Sequence, residues 1–162
     1  MKNISVILYA SDMGKGSKPA FQAAIHQAFL SNAQIIYLHV LESDAGTAEE
    51  LINAYMPEAF NKVRLQNMYT ELRKKIKKRL TDYHEEALIK QEMPNIPEPI
   101  IEVVQGKADR VILDTADRFN ADLIVMGDRS SSSLARVFLG STARKVIHHS
   151  NIPVLIIPLE AE

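Results

Sequence analysis

The sequence predicts an α/β protein, a doubly wound five-stranded parallel sheet with helices on both faces. Its strand candidates are continuous apolar runs and not apolar–polar alternations, as expected where both faces of a sheet are covered. Between these runs, apolar residues recur at helical spacing, which is the pattern of strands joined by right-handed crossover helices. At 162 residues with 46% hydrophobic side chains, the chain fits one domain spanning 1–162 with a core of ordinary size.

The first strand is Val6-Ile-Leu-Tyr-Ala10, bounded by Ser11-Asp12 and the glycines at 14 and 16. A helix follows from Ser17, with Pro19 in its first turn and Phe21, Ala24, Ile25, Ala28 and Phe29 recurring on one side until Ser31-Asn32. Gln34 to Leu41 is the second strand. The stretch 43–98 reads as a helical excursion inside the same domain. In it, Thr47 to Tyr55 forms a short helix ending before Pro57, and Phe60 to Ile89 a long one with Leu65, Tyr69, Leu72, Ile76, Leu80 and Tyr83 on one stripe. Pro94, Pro97 and Pro99 end that helical run. The third strand is centred on Ile100 to Val104, and a helix with the apolar face Val111, Ile112, Thr115, Ala116 and Phe119 follows it. Leu123 to Met126 and Val154 to Ile157 are the fourth and fifth strands.

Bulk properties exclude several functions. A net charge of −1, from 19 basic and 20 acidic residues, argues against a general nucleic-acid or acidic-membrane binder. With no cysteine there are no disulfides, no thiol catalysis and no cysteine-held metal. The apolar start, Ile4 to Ala10, is interrupted by Ser5, followed at once by Asp12 and too short to span a bilayer, so a cytoplasmic protein is expected. The cationic run Arg73-Lys-Lys-Ile-Lys-Lys-Arg79 keeps the apolar stripe through Leu72, Ile76 and Leu80, which puts its charges on a solvated outer face. His148 and His149 fall near a helix carboxyl end, where positive charge is favourable, and none of the five histidines has metal-ligand spacing.

The stretch most informative about function is Met126-Gly-Asp-Arg-Ser-Ser-Ser-Ser-Leu-Ala-Arg-Val-Phe-Leu-Gly-Ser-Thr142, a strand end, a small-residue loop and a helix start. Backbone N–H groups around Gly127 and Gly140, with the hydroxyls of Ser141 and Thr142, would converge on one point and suit a phosphate. Arg129 within the loop offers a guanidinium that matches phosphate geometry bidentately. The plainer alternative, turn glycines and a Ser141 helix cap with no ligand, stays open from the residues alone. So does an Asp12 that merely caps the turn after the first strand.

The same residues carry a resemblance. Members of the universal stress protein family that bind ATP have, directly after their fourth strand, a Gly, two residues, a second Gly, nine residues, then Gly-Ser or Gly-Thr. Here Gly127, Gly140 and Ser141 match that spacing and Ser130 stands at the second glycine position. The run from Ile101 to Gly127 and the ending His149-Ser-Asn-Ile-Pro-Val-Leu-Ile-Ile-Pro158 are similar to the family as well. The resemblance implies a Rossmann-like sheet in the order 3-2-1-4-5, with the ligand at the carboxyl ends of strands 1 and 4. It implies a stress-response or regulatory protein that binds ATP, with Mg²⁺ accompanying it. Gly127, Ser130, Gly140, Ser141 and Thr142 would cradle phosphates, and Asp12 would lie beside ribose and adenine. Ala10 and Ser11 would flank the base, which the backbone of Val40 would touch. It implies too a homodimer through 152–158 and a protein partner the sequence does not name.

Rival motifs fare worse. Gly14-Lys-Gly16 after the first strand is half of a dinucleotide fingerprint, but Pro19 occupies the third small position and the acidic residue about twenty places on is missing. The P-loop pattern is absent because Gly140 is followed by Ser, not Lys. Two other classes stay open beside the ATP-binding reading. One is an interaction module of the same family without nucleotide. The other is a slow ATPase or self-phosphorylating protein with its acceptor among Ser130 to Ser133, Ser141 or Thr142; no nucleophile with a neighbouring base can be assigned.

Overall fold

All five apolar runs form strands: β1 (Val6–Ser11), β2 (Gln34–Leu41), β3 (Ile100–Gln105), β4 (Leu123–Asp128) and β5 (Val154–Pro158). They pair in parallel in the order β3-β2-β1-β4-β5, as the resemblance implied. The helices are α1 (Lys18–Ser31), α2 (Glu58–Lys90), α3 (Ala108–Arg118) and α4 (Ser141–His149). The computed structural model describes residues 3–14, 16–42, 58–90, 96–128 and 139–159, so the short helix expected over Thr47 to Tyr55 lies outside the described residues.

The absence of alternation has the expected cause. Ile7, Tyr9, Ile35, Tyr37 and Val125 point to one face, where they meet Phe21 and Ile25 of α1 and Ile76 and Leu80 of α2. Leu8, Ile36, Leu38, Ile124 and Met126 point to the other, against Ile112 and Ala116 of α3 and Ala143 and Val146 of α4. Both faces of the central strands are therefore buried along their middles, and the run of apolar residues there has that cause, with the polar positions Ser11, Gln34 and Asp128 falling at the strand ends and His39 near one.

Local signals set the helix ends. α1 carries Pro19 in its first turn and stops at Asn32, which adopts the left-handed conformation (φ 49°) that asparagine tolerates better than most residues. Ala33 N–H then reaches back to the Ala28 carbonyl at 2.9 Å. β1 starts where Asp122, just ahead of β4, accepts from the N–H groups of Ser5 (2.8 Å) and Val6 (3.1 Å), which ties the amino ends of the two central strands together.

The stripe expected on the long helix needs correction. Of the expected residues, Ile76 and Leu80 face the sheet and the Tyr69 hydroxyl accepts from Gln105 Nε2 of β3 at 3.1 Å, but the face continues through His84, Ala87 and Leu88, while Leu72 is 40% exposed and Tyr83 39% exposed. Steps of four residues from Ile76 lead to His84, and Tyr83 falls to the flank, where its ring meets Phe21 of α1 edge-on at 6.0 Å. The side chain of Leu65 lies outside the described residues. His84 is 4% exposed, its Nδ1 2.7 Å from the Tyr37 hydroxyl, and this buried polar pair docks α2 onto β2. The basic residues from Arg73 to Arg79 are exposed, as the periodicity implied.

Candidate functional site

The chain leaves β1 to reach β2 and β3 on one side, then returns to place β4 on the other side of β1. Connections from β1 and β4 diverge at their carboxyl ends and leave a crevice there. A cavity of about 410 Å³ occupies that position. Ala10, Ser11, Asp12, Val40, Gly127, Gly140, Ser141 and Thr142 all line it. Arg129 and Ser130, with Ser131, Ser132 and Ser133, lie outside the described residues.

Hydrogen bonds shape the β1 end. The Ser11 carbonyl accepts from His39 Nδ1 at 2.8 Å, so that ring carries its proton on Nδ1, and Ser11 Oγ accepts from Met13 N–H at 3.1 Å. Asp12 Oδ1 accepts from Gly14 N–H at 3.0 Å, so this carboxylate caps the turn and lines the cavity at once. The turn holds Met13 at φ 59°, a conformation that costs a branched or bulky side chain about 1 kcal/mol or more.

Gly127 departs from the sequence expectation. It is not in a loop but within β4, paired with Ile157. A β-carbon on it would come within 2.6 Å of Leu159 Cδ1 and 2.9 Å of Leu159 Cγ. The space that glycine leaves is taken by the protein's own leucine, held there as Leu159 N–H donates to the Asp128 carbonyl at 3.2 Å. Gly127→Ala is accordingly expected to cost about 1–3 kcal/mol by overpacking. Leu159→Ala in the same chain should remove most of that penalty, measured as the coupling in a urea-unfolding double-mutant cycle. Additive effects would show that Leu159 is not the obstacle.

Gly140 presents the opposite case. Its torsions (φ −54°, ψ 151°) suit any residue, and a β-carbon there would meet only Asp128 Oδ1, at an ordinary 3.5 Å. The fold does not require glycine at this position, which opens α4 directly at the cavity. No side chain caps α4 in the usual way; Asp128 Oδ1 accepts from Gly140 N–H at 3.0 Å instead. Ser141 is the first helical residue and not the N-cap, so the plain cap role is taken by Gly140. First-turn N–H groups and the positive end of the helix dipole thus face the cavity.

Electrostatics and shape divide the cavity. Leu38, Val40, Ile112 and Met126 form an apolar part, while Asp12, Glu42 and Asp128 place three carboxylates around it, and no cation joins them among the described lining residues. Glu42 Oε1 accepts from Ala108 N–H at 3.2 Å, at the amino end of α3. Sequence reasoning missed Asp128, Glu42 and Leu159. Asp128 was the most accessible of them, since an acidic residue directly after the strand-end glycine faces whatever that strand end faces.

A polyphosphate meets like charge here unless a divalent cation accompanies it. Among the described residues no group of three or more histidine or carboxylate side chains could hold a metal ion unaided. The donors suit Mg²⁺ that keeps one or two carboxylates and takes its remaining ligands from phosphate and water.

The model of the universal stress protein family matches residues 3–158. The chain belongs to this family. Universal stress protein YxiE of Bacillus subtilis is 32% identical over 152 residues, covering 93% of this chain and 97% of that one. The structure of universal stress protein UspA from Lactobacillus plantarum superimposes with a TM-score of 0.72 at 23% identity, covering 97% of this chain and 99% of that one. A universal stress protein solved in complex with cAMP gives a TM-score of 0.60 at 22% identity, with 98% and 100% covered. The two glycines differ in surroundings: a β-carbon at 127 would run into Leu159, whereas one at 140 would meet only Asp128 Oδ1. Among the described residues no helix is long and apolar enough to cross a membrane.

Proposed function

We propose that this universal stress protein is a regulatory, stress-response protein that binds an adenine nucleotide, ATP with Mg²⁺, in the cavity at the carboxyl ends of β1 and β4. The observation that carries this reading is Gly140, a glycine that neither torsion nor packing demands, at the amino end of a helix that opens into the cavity. A phosphate approaching first-turn N–H groups needs that missing β-carbon. Ser141 and Thr142 hydroxyls donate to the same group, with Ser130 added by the family spacing and Arg129 by the bidentate fit of its guanidinium to phosphate. The apolar surface of Val40 and Ala10 takes the base, and Asp12 accepts from ribose hydroxyls. The cAMP carried by one structural neighbour supports an adenine nucleotide as the ligand class.

Association through β5 belongs to the same reading. β5 is an edge strand whose Val154, Leu155, Ile156 and Ile157 are half-buried, and pairing 152–158 with a second copy would cover an apolar edge otherwise open to aggregation. Native mass spectrometry of the undialysed protein is expected to give twice the 18.2 kDa chain mass with adenine nucleotide bound. Calorimetric titration of the stripped protein should then show Mg²⁺-dependent rebinding of ATP with Kd on the order of micromolar. An empty protein that ignores ATP would overturn the nucleotide reading, and a monomer would overturn the β5 interface.

A further inference from the structure

A second cavity, of about 530 Å³, lies on the α1 and α2 side of the sheet, between the amino end of α1 and the carboxyl-terminal half of α2. Its apolar walls, Phe21, Leu80 and Ala87, do not line the first cavity, although Ser11 and Ser17 line both. The floor is apolar: Phe21 and Leu80 are buried, Ala87 packs against the same cluster, and Tyr83 supplies an aromatic edge. Among the described lining residues, Lys18, Arg79 and Lys90 stand against a single carboxylate, Glu86.

That carboxylate is already engaged, because Glu86 is paired with Lys90. Among the described residues neither Lys18 nor Arg79 has a carboxylate within ion-pair distance. The Arg79 guanidinium donates to the Tyr83 hydroxyl from Nε (3.3 Å) and Nη2 (3.1 Å) and lies over the Tyr83 ring at 5.5 Å. Held this way, it keeps N–H groups for an incoming anion and loses little freedom on binding one. Among the described residues, then, Arg79 and Lys18 stand beside a concave apolar floor of ligand size with no carboxylate in direct contact, although Glu86 feels the Lys18 charge from farther off.

We propose that this cavity is a second ligand site, for a small amphiphilic carboxylate whose aromatic or alkyl body rests on Phe21, Leu80 and Tyr83 and whose carboxylate pairs with Arg79 and Lys18. Apolar burial supplies the binding free energy, and the charge pair selects an anion over a neutral compound of the same shape. The site does not depend on the nucleotide reading, since none of its selecting residues lines the other cavity.

The test is an amide ¹H–¹⁵N NMR titration of the full chain with 2-naphthoate and, in parallel, with its neutral isostere 2-naphthamide. Saturable shifts are expected at Phe21, Leu80, Tyr83 and Ala87, with Kd for the carboxylate below about 1 mM and binding of the amide at least about tenfold weaker. Arg79→Gln should weaken the carboxylate about fivefold or more and leave the amide unchanged. Ala87→Leu, which fills the floor, should abolish both while circular dichroism stays that of the parent. Scattered or unsaturable shifts, equal affinity for acid and amide, or full binding by Ala87→Leu would each overturn the assignment.

Discussion

Gly140→Ala is expected to lower the affinity for Mg²⁺·ATP by about tenfold or more while leaving the unfolding midpoint unchanged or slightly raised. The two halves of this expectation come from different physics. Alanine accepts φ −54°, ψ 151°, meets only Asp128 Oδ1 at 3.5 Å, and keeps the N–H that Asp128 accepts. Such a Gly→Ala change stabilises by about 0.4–1 kcal/mol, through the less flexible unfolded chain. The added methyl group nevertheless stands at the opening of α4, where in the proposed complex a phosphate oxygen comes within about 3 Å of first-turn N–H groups. Displacing it by a few tenths of an ångström, or losing one charge-assisted hydrogen bond, is worth about 1.5–3 kcal/mol, which is a tenfold loss or greater. Unchanged affinity in a protein that binds ATP would place the phosphates away from α4. Gly127→Ala supplies the contrast: stability falls because Leu159 fills the space, whatever the ligand does.

The second large effect concerns His84. Burial of its ring between α2 and β2 holds its pKa below the ordinary 6.5, with Glu85 opposing the shift in part. Burial likewise pushes the Tyr37 phenol well above its usual range, so the neutral pair is the folded form. The unfolded chain therefore takes up a proton near 6.5 that the folded chain refuses until a lower pH. Stability is intact above 6.5, falls as pH drops from there toward the folded-state value, and is constant in this term below it. His84→Leu should flatten that part of the profile. At pH 8 it should also cost about 1–3 kcal/mol, because the Tyr37 hydroxyl is left buried without its partner. Adding Tyr37→Phe, which makes both partners apolar, should return part of the loss. Urea unfolding at pH 8 and 5.5 measures all three; a pH dependence that survives His84→Leu would assign it to other groups.

How much of this was legible in the chain depends on the range of the interaction. The central strands were readable because consecutive apolar residues report burial on both faces, the edge strands as short apolar runs, and α1 was bracketed by Pro19 and Asn32 for local backbone reasons. Gly127, Gly140, Ser141 and Thr142 drew attention through residue type and spacing, and Asp12, Ala10, Ser11 and Val40 only through the resemblance; the fold brings all eight to one cavity. The α2 stripe was misjudged between adjacent residues. Tyr83 is the more apolar of Tyr83 and His84, but the phase of the helix is set by the sheet, which offers His84 the Tyr37 hydroxyl 47 positions away.

By itself, the amino-acid sequence determined the class of the sheet, the order of strands and helices along the chain, and the kinship that implied the strand order. Those properties follow from periodicity, turn chemistry and motif spacing, which act over a few residues or are shared by relatives. Only the tertiary structure decided why Gly127 is glycine, that Asp128 and Glu42 face the crevice, that His84 is a buried anchor, and that Arg79 and Lys18 stand beside one apolar floor. Each of those facts joins elements that no local signal connects. A side chain's environment in a packed interior is set by whichever distant residues close over it.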